Sequence, residues 1–386
     1  MRLLVLVHEV GNTASGIVSQ RVIEELDNRG HEIVVVTSRS TVVDSEKIIC
    51  CNDLISSGTF FSRAIDKLKR IVGLDTFNSN FSWRLRAYYR SLRIVSQWRP
   101  DFIYCRTSPI DPCFVGIRLK NRFKIPLLVN LTDPLPPPTE YLANEKIRAV
   151  LSKSASFIMS NADLVSMGTE QALIYQERIT GIDISSKSFI SPDPVPYDTI
   201  RYLKVNQHSD INLVYLGAIY GSRNIAPLIE AIKCLNSNGY SIKLKIYGNS
   251  RLNIKEDFIE ECGFLGDVEG ALIESDILVD IDGDDLEPVF VSSKLKQYLV
   301  VNRPILCITP LNSPSSSLLE DIDSIRITRN EVDSICNNIS YIIGRVGTYD
   351  YNDRANLVNQ LSPKVIVDNI ISEVSSRLIS DISEGD

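Results

Sequence analysis

One short stretch of the chain, PVFVSSKLKQYLVVNRPILCITP at residues 288–310, combines residue types that bind phosphate. A loop of small polar residues ends at Ser292 and Ser293, and a helical pattern that begins with Lys294 follows it. The first amides of a helix have no partner within the helix and lie at its positive end, so they attract phosphate. Lys294 adds a positive charge in the first turn. We therefore expect this part of the chain to hold a nucleoside diphosphate.

A second cation follows a strand predicted for residues 212–216, in the loop GAIYGSRN. Gly217 and Gly221 permit tight backbone turns in this loop. Arg223 stands beside the start of a helix predicted for residues 225–235, where its guanidinium group can fork onto a diphosphate. The alternative is a surface arginine in a helix cap.

The first stretch resembles the motif in the C-terminal half of family 4 (group 1) glycosyltransferases, of the type that assembles polysaccharides. The matching residues are Ser293, Lys294, Leu295, Tyr298, Leu299, Arg303, Pro304 and Ile305. Many members have one glutamate where this chain has Gln297 and another where it has Val289. In the family those carboxylates hold hydroxyls of the donor sugar and of the ribose. Gln297 can still form hydrogen bonds, whereas the Val289 side chain cannot.

The resemblance extends to two further loops. Family members usually have an arginine where this chain has Ala218 and a lysine where it has Arg223, although a YG-x-R-N form also occurs among polysaccharide-assembly members. The segment CGFLGDV at residues 262–268 is similar to a family turn whose backbone faces the nucleotide base. Together, resemblance and predicted strand ends assign as donor-binding residues Gly217, Gly221, Asn224, Gly248, Phe264, Leu265, Gly266, Ser292, Ser293 and Gln297. The catalytic cations are then Arg223 and Lys294.

The chain opens with a strand, a glycine loop, a helix and a second strand, which together form the first unit of a doubly wound α/β sheet. In the resembling transferases the corresponding loop faces the cleft between two domains. The resemblance thus places Gly11, Asn12 and Gly16 on the acceptor side of that cleft. The alternative is that both glycines are ordinary turn residues.

Asp133 follows an apolar strand pattern at residues 125–131 and begins the rigid turn DPLPPPTEY. Ligand sites of α/β sheets lie at the carboxyl ends of their strands. The resemblance implies that Asp133 contacts the acceptor or assists its deprotonation. The alternative is an Asx cap ahead of a helix near Glu140.

Residues 60–99 contain nine basic and two acidic side chains, so this segment carries +7 (nine minus two) in a chain of net charge −7. Aromatic residues are interleaved with the basic ones. Such a segment can lie on an anionic membrane surface. The alternative is a solvated helix pair whose aromatic stripe faces the core.

The acidic run DIDGDDLEP begins at Asp280 and includes Asp282. An Asp-x-Asp pair holds a divalent ion in another class of glycosyltransferases, but the spacing here does not match a calcium loop. We interpret the run as a solvated acidic loop, and we expect neither a metal nor a cofactor other than the donor substrate.

Length and composition limit the number of domains, the classes of partner and the cellular compartment that fit this sequence. A chain of 386 residues is long enough for two domains. Its net negative charge argues against general nucleic-acid binding. Eight cysteines without C-x-x-C spacing and only three histidines argue against structural zinc and fit a reducing cytoplasm. The initial apolar run stops too early for a signal peptide, and no run is long enough to span a membrane.

These patterns and the resemblance predict an α/β protein with two Rossmann-like, doubly wound domains facing a cleft, the GT-B architecture. The predicted parts are an acceptor domain at 1–195, a linker at 196–209, a nucleotide-sugar domain at 210–362, and a C-terminal helix at 363–386 that crosses back to the first domain.

By resemblance, the implied reaction moves a sugar from a nucleoside diphosphate to a hydroxyl of a lipid-linked saccharide, with retention and without metal. The implied setting is bacterial O-antigen or capsule synthesis at the cytoplasmic membrane face. Two alternatives stay open: a nucleotide-sugar epimerase of the same shape, and an inactive nucleotide-sugar-binding subunit, which the missing carboxylate at Val289 favours.

Overall fold

The computed structural model of the protein describes residues 1–11, 13–40, 47–51, 81–138, 142, 144–204, 209–219, 222–248, 252, 254–263, 268–283 and 287–379. The chain divides into two compact units. Met1–Pro194 and Pro363–Asp386 form the first, and Val195–Ser362 forms the second.

Buried apolar strands form the sheet of the first domain. The strands in chain order are β1 (Arg2–Leu6), β2 (Glu9–Val10), β3 (Glu32–Thr37), β4 (Arg39–Ser40), β5 (Ile48–Cys50), β6 (Phe102–Arg106), β7 (Leu127–Leu131), β8 (Leu164–Met167) and β9 (Ser188–Ile190). Among the described residues, a parallel sheet has the order β5-β3-β1-β6-β7-β8-β9, and β2 pairs separately with β4. Continuous apolar runs suit such a sheet because helices cover both of its faces.

The helices between these strands are α1 (Ala14–Asn28), α2 (Phe81–Trp98), α3 (Asp111–Phe123), α4 (Glu145–Asn161) and α5 (Glu170–Thr180). Thr13, Asn144 and Thr169 cap α1, α4 and α5 by accepting a backbone N–H with their side chains. The helices therefore begin where a side-chain oxygen satisfies an amide that the helix itself leaves unpaired.

The second domain repeats this plan. Its strands are β10 (Ile211–Leu216), β11 (Ile242–Tyr247), β12 (Ile259–Gly263), β13 (Ile277–Ile281), β14 (Ile305–Ile308) and β15 (Ile325–Thr328). Its helices are α6 (Ala226–Ser237), α7 (Val268–Glu274), α8 (Ser293–Tyr298), α9 (Pro314–Leu318), α10 (Val332–Ile343) and α11 (Ala355–Gln360). Within the described ranges the parallel sheet has the order β12-β11-β10-β13-β14-β15, so the chain reverses direction across the sheet between β10 and β13.

The last helix, α12 (Pro363–Val374), packs on the first domain. Ile366, Val367 and Ile370 join the apolar core that contains Leu26 of α1. Asp368 pairs with the Arg29 guanidinium group at 2.7 Å. The apolar stripe of α12 therefore packs against residues that lie near the start of the sequence.

Two doubly wound α/β domains were predicted, and this prediction is confirmed. Within residues 195–204, the Arg201 amide donates to the Val300 carbonyl at 2.7 Å, and the Leu203 amide donates to Asn302 Oδ1 at 2.7 Å. This part of the predicted linker is therefore hydrogen-bonded along the second domain.

The described half of the basic segment is helix α2. Its residues Trp83, Ala87, Ser91 and Val95 recur every fourth position and are fully buried, so this stripe faces the core. Tyr89 is 66% exposed and lies on the opposite face. The remainder of the basic segment, up to residue 80, lies outside the described residues. None of the described helices combines the length and apolar character that a membrane crossing requires.

Arg303, a residue of the resembling motif, has a structural role. It is 2% exposed, and its guanidinium group donates to the carbonyls of Ser275 at 2.6 Å, Asn302 at 2.9 Å and Lys204 at 2.8 Å. One buried cation therefore joins three separate segments of the second domain.

We predict that Arg303→Met lowers the free energy of unfolding by on the order of 3 kcal/mol, because several buried carbonyls lose a charged donor. The matched control is Arg345→Met, which removes an exposed ion pair with Asp323 and should change stability little. Thermal denaturation followed by circular dichroism measures both variants. Equal melting temperatures for the two would contradict the assigned role.

Candidate functional site

Two glycines lie at the carboxyl ends of neighbouring strands in the second domain. Gly217 follows β10 and Gly248 follows β11, and the Gly217 amide donates to the Tyr247 carbonyl at 2.6 Å. Gly217 has a φ of +110°, which side chains other than hydrogen rarely permit. A Cβ atom on Gly248 would overlap the Gly217 carbonyl oxygen. The two turns approach so closely that both positions require glycine.

Lys294 lies directly over this turn. A Cβ atom built on Gly217 would be 3.0 Å from Lys294 Cδ, so the aliphatic part of the lysine occupies the space that the glycine leaves. Lys294 stands in the first turn of α8, which is only six residues long. Because so short a helix has a small dipole, the lysine charge is the larger source of positive potential here.

A buried carboxylate holds the lysine. Asp280, on β13, has no exposed surface, and its Oδ1 atom accepts a hydrogen bond from Ser292 Oγ at 2.9 Å. Lys294 Nζ lies 3.6 Å from the same oxygen and 4.9 Å from the centre of the Tyr215 ring. The ammonium group is thus held by an ion pair and a cation–π contact.

Helix α8 is also anchored to the end of β10. The Tyr298 hydroxyl accepts the Leu216 N–H at 2.9 Å, and Tyr298 is fully buried. Burial raises the pKa of Tyr298 well above its usual value, so the hydroxyl stays neutral. The Tyr298 hydrogen bond at the end of α8 and the contacts of Lys294 at its start therefore fix this helix next to Gly217.

Asp280 corrects the interpretation of DIDGDDLEP as a solvated loop. Asp280 is inside the sheet, and Asp282 is partly buried, accepting from Thr309 Oγ1 at 3.0 Å and from Ser315 Oγ at 2.8 Å. Burial, and secondly the neighbouring Asp280 charge, raise the pKa of Asp282 to about 6. The interpretation was wrong for Asp280 because an acidic run looks solvent-exposed in sequence, whereas parallel strands are buried on both faces. Residues 284–286 lie outside the described ranges.

Arg223 lies near the same turn. Its Nη1 atom is 3.5 Å from the carbonyl oxygen of Ala218, the residue after Gly217. The neighbouring Asn224 is exposed, and its side chain accepts the Ala226 N–H at 3.0 Å at the start of α6. The structure thus brings together four of the predicted residues, namely Gly217, Gly248, Lys294 and Arg223. Ser292 is linked to them through Asp280. Asn224 instead caps helix α6.

The structure gives less direct support for the other predicted donor-binding residues. Ser293 is exposed and Gln297 is partly exposed, both on α8. Val289 is 3% exposed, so it is an apolar core residue where the family has a carboxylate. Gly221, Phe264, Leu265 and Gly266 lie outside the described residues.

The predicted acceptor residues belong to the first domain. Gly11 has a φ of +77°, its amide donates to the Gly16 carbonyl at 3.0 Å, and a Cβ atom on Gly16 would overlap the Gly11 carbonyl oxygen. The loop therefore requires both glycines for its own geometry, and Asn12 lies outside the described residues. Asp133 is exposed after β7, and the following helix is capped by Asn144.

A buried polar network that was not predicted from the sequence lies at the carboxyl edge of the first sheet. Arg106 Nη1 donates to Asn130 Oδ1 at 2.6 Å, Asn130 Nδ2 donates to Ser166 Oγ at 2.9 Å, and Arg106 Nη2 pairs with Asp193. Arg106, Asn130 and Ser166 each place a polar side chain in an otherwise apolar strand, and this pattern could have identified them in the sequence.

The arrangement in the second domain suits binding of an anion. Two cations and a close pair of glycine turns lie at the carboxyl edge of a parallel sheet, where ligands of α/β domains bind. Across the described ranges, no group of three or more histidine, cysteine, aspartate or glutamate side chains is arranged to hold a metal ion.

Solved structures share the fold of the whole chain. The lipopolysaccharide outer core galactosyltransferase WaaB matches 98% of this chain and 100% of its own, with 11% identity and a TM-score of 0.64. Anabaena HepE, solved with UDP, matches 97% of this chain and 100% of its own, with 13% identity and a TM-score of 0.63. A UDP-N-acetylglucosamine 2-epimerase matches 97% of this chain and 96% of its own, with 9% identity and a TM-score of 0.54.

No protein-family model matches the sequence, and no curated protein is significantly similar to it. The structural similarity establishes that the chain has the GT-B glycosyltransferase fold, with two Rossmann-like domains. The narrower resemblance to family 4 stays a prediction.

We predict that Gly248→Ala lowers the free energy of unfolding by about 2 kcal/mol, because the added methyl group forces the two strand-end turns apart. Gly168→Ala is the matched control, since a Cβ atom there meets nothing within 4 Å. Chemical denaturation curves of the two variants provide the comparison. If Gly248→Ala is as stable as the control, the two turns do not approach as described.

Proposed function

We propose that this protein is a glycosyltransferase that binds a nucleoside diphosphate sugar in its second domain. The observation that carries the proposal is the position of Lys294 over Gly217, at the carboxyl ends of β10 and β11. The GT-B fold and the presence of UDP in the similarly folded HepE structure support it.

Catalysis in this proposal depends on stabilising the leaving group. When the bond between sugar and diphosphate breaks, negative charge grows on the diphosphate, and fixed positive charges lower the barrier. Lys294 is fixed by Asp280 and by its helix, and Arg223 lies beside the same turn. In this proposal the two cations neutralise the leaving diphosphate in place of a metal, and exposed Asp133 serves the acceptor hydroxyl.

Donor selection is a further part of the proposal. Partly exposed Gln297 forms hydrogen bonds to donor hydroxyls, whereas buried Val289 forms none, so this chain makes fewer contacts with the sugar than the resembling enzymes. Retention of anomeric configuration follows from the family resemblance.

The proposed acceptor is a lipid-linked saccharide in the synthesis of a bacterial surface polysaccharide such as O-antigen or capsule. WaaB, which shares the fold, is a lipopolysaccharide outer core galactosyltransferase, and this supports the choice. The reaction then takes place at the cytoplasmic face of the membrane.

Nucleotide-sugar epimerization is the second candidate function, because an epimerase shares the fold. An inactive binding subunit is a third, favoured by the apolar residue at Val289. Turnover of any nucleotide sugar excludes the inactive subunit. Release of free sugar with inverted configuration favours the epimerase over the transferase.

We predict that Lys294→Ala and Arg223→Ala each reduce turnover roughly 100- to 1000-fold, as expected when one charge stabilising a transition state is lost. Turnover is measured as diphosphate release from a panel of nucleotide sugars, in excess EDTA, where the wild type should keep full activity. The matched control is Lys233→Ala, an exposed lysine of the same domain that pairs with Glu256.

Circular dichroism must show that all three variants fold. Near-wild-type rates for both Lys294→Ala and Arg223→Ala would defeat the assignment of these cations. Loss of activity in EDTA that manganese restores would overturn the metal-independent chemistry.

We also propose that the exposed face of α2, with Tyr89, Arg90 and Arg93, contacts an anionic membrane. Basic side chains near such a surface contribute about 1 kcal/mol each. The double variant Arg90→Gln/Arg93→Gln should therefore bind anionic liposomes roughly 30-fold more weakly than the wild type in flotation assays at low salt.

The control for this assay is Lys146→Gln/Lys153→Gln, which removes two exposed charges from α4 of the same domain. It should float like the wild type. Binding that is absent at low salt, or equal in both double variants, would remove α2 from the membrane contact.

A further inference from the structure

Two carboxylates lie in the cluster around Lys294. Asp280 has no exposed surface, and its Oδ1 atom faces Ser292 Oγ and Lys294 Nζ. Its Oδ2 atom is buried and accepts no hydrogen bond from any residue in the described ranges. Asp282 stands two positions further along the chain. When both carboxylates are ionised, one ammonium group faces two negative charges.

The described groups around the carboxylate pair come from several elements. They are Lys294 and Tyr298 of α8, Cys307 of β14, and the hydroxyls of Ser292, Thr309 and Ser315. Burial raises the pKa of Tyr298 and of Cys307 well above their usual values, so both stay neutral. Among the described groups, the charged members of this cluster are therefore Asp280, Asp282 and Lys294. Arg223, the second cation of the site, lies beside the neighbouring turn at Gly217.

The two carboxylates weaken the attraction of the cations for an incoming anion. A diphosphate that binds Lys294 approaches two carboxylates in a poorly solvated place, where Coulomb interactions are stronger than in water. Neutralising one carboxylate removes much of that repulsion. Asp282 is the carboxylate that takes up the proton, because its oxygen is hydrogen-bonded to the neutral hydroxyls of Thr309 and Ser315, whereas Asp280 is paired with the Lys294 ammonium group.

We propose that Asp280 and Asp282 are a proton-linked carboxylate pair of the diphosphate site, in which Asp280 positions Lys294 and Asp282 takes up one proton as a nucleoside diphosphate binds. This inference rests on the proposed function. The proton comes from solvent and adds to a carboxylate oxygen of Asp282.

The titration of Asp282 sets the pH range of the effect. In the free protein its pKa is raised to about 6, and a bound anion raises it further. Below that pH, Asp282 already carries the proton, and binding requires no uptake. Above it, each pH unit weakens binding by up to about tenfold, until the pKa of the complex is reached.

The test is isothermal titration calorimetry of the full chain with UDP between pH 5.5 and 8, in pairs of buffers with different ionisation enthalpies. UDP has a titrating phosphate of its own, so the informative quantity is the difference between wild type and Asp282→Asn. Near pH 7 the wild type should take up close to one proton more than this variant. Its affinity should also fall more steeply with pH.

Asp280→Asn should reduce the extra uptake, because burial is the main cause of the raised pKa of Asp282 and the Asp280 charge adds to it. Asp276→Asn is the matched control. It alters a carboxylate just before β13, where Asp276 accepts the Asn212 N–H at 2.8 Å, and its proton uptake should equal that of the wild type.

The outcomes separate the two proposals. If the wild type binds UDP and takes up no more protons than Asp282→Asn, the proton linkage is wrong and the proposed function stands. Uptake that Asp282→Asn abolishes and Asp280→Asn leaves unchanged would overturn the role of Asp280. If the wild type binds no UDP at any pH, the donor site of the proposed function fails first.

Discussion

The proposed donor site depends on one ion pair, between Lys294 and the buried Asp280, at the end of the sheet of the second domain. Asp280 Oδ1 faces both Ser292 Oγ and Lys294 Nζ, so a single carboxylate oxygen orients a hydroxyl and an ammonium group. A free lysine side chain has many rotamers, and holding one of them costs up to about 2 kcal/mol. Here the lysine rotamer is already fixed in the folded protein, because Lys294 contacts Asp280 on one side and fills the space left by the missing Cβ of Gly217 on the other.

The fold explains why this pair forms where a ligand can use it. Strands β10 and β13 are neighbours although they are distant in sequence, and their carboxyl ends lie at the same edge. Tyr298 joins α8 to the end of β10 through the Leu216 amide. The cation is therefore supported by two strands and a helix, which gives a more precise position than a loop would.

Much of this organisation was predictable from the sequence. Apolar runs such as residues 3–7 and 305–308 predict buried parallel strands, and glycines after such runs predict turns at one sheet edge. On this basis, Gly217 and Lys294 were predicted to belong to the same nucleoside diphosphate site. It also predicted an amphipathic C-terminal helix, because the spacing of Ile366 and Ile370 depends only on local geometry.

What the sequence did not reveal depends on long-range packing. Asp280 belongs to an acidic run, and only the sheet shows that it lies inside the domain. Arg303 matches a motif of the resembling enzymes, yet its bonds to backbone carbonyls show a structural role. Asn224 lies beside Arg223 in sequence, but its side chain contacts the start of α6. For Arg303 and Asn224 the deciding partner is a backbone group that no side-chain pattern identifies, and for Asp280 it is the burial of strand β13.

The most direct measurement is a crystal structure of the chain with bound UDP. We predict diphosphate oxygens within hydrogen-bonding distance of Lys294 Nζ, over the turn at Gly217, with the Arg223 guanidinium group directed at the same phosphates. A nucleotide bound elsewhere, or a diphosphate that leaves both cations uncontacted, would contradict this prediction.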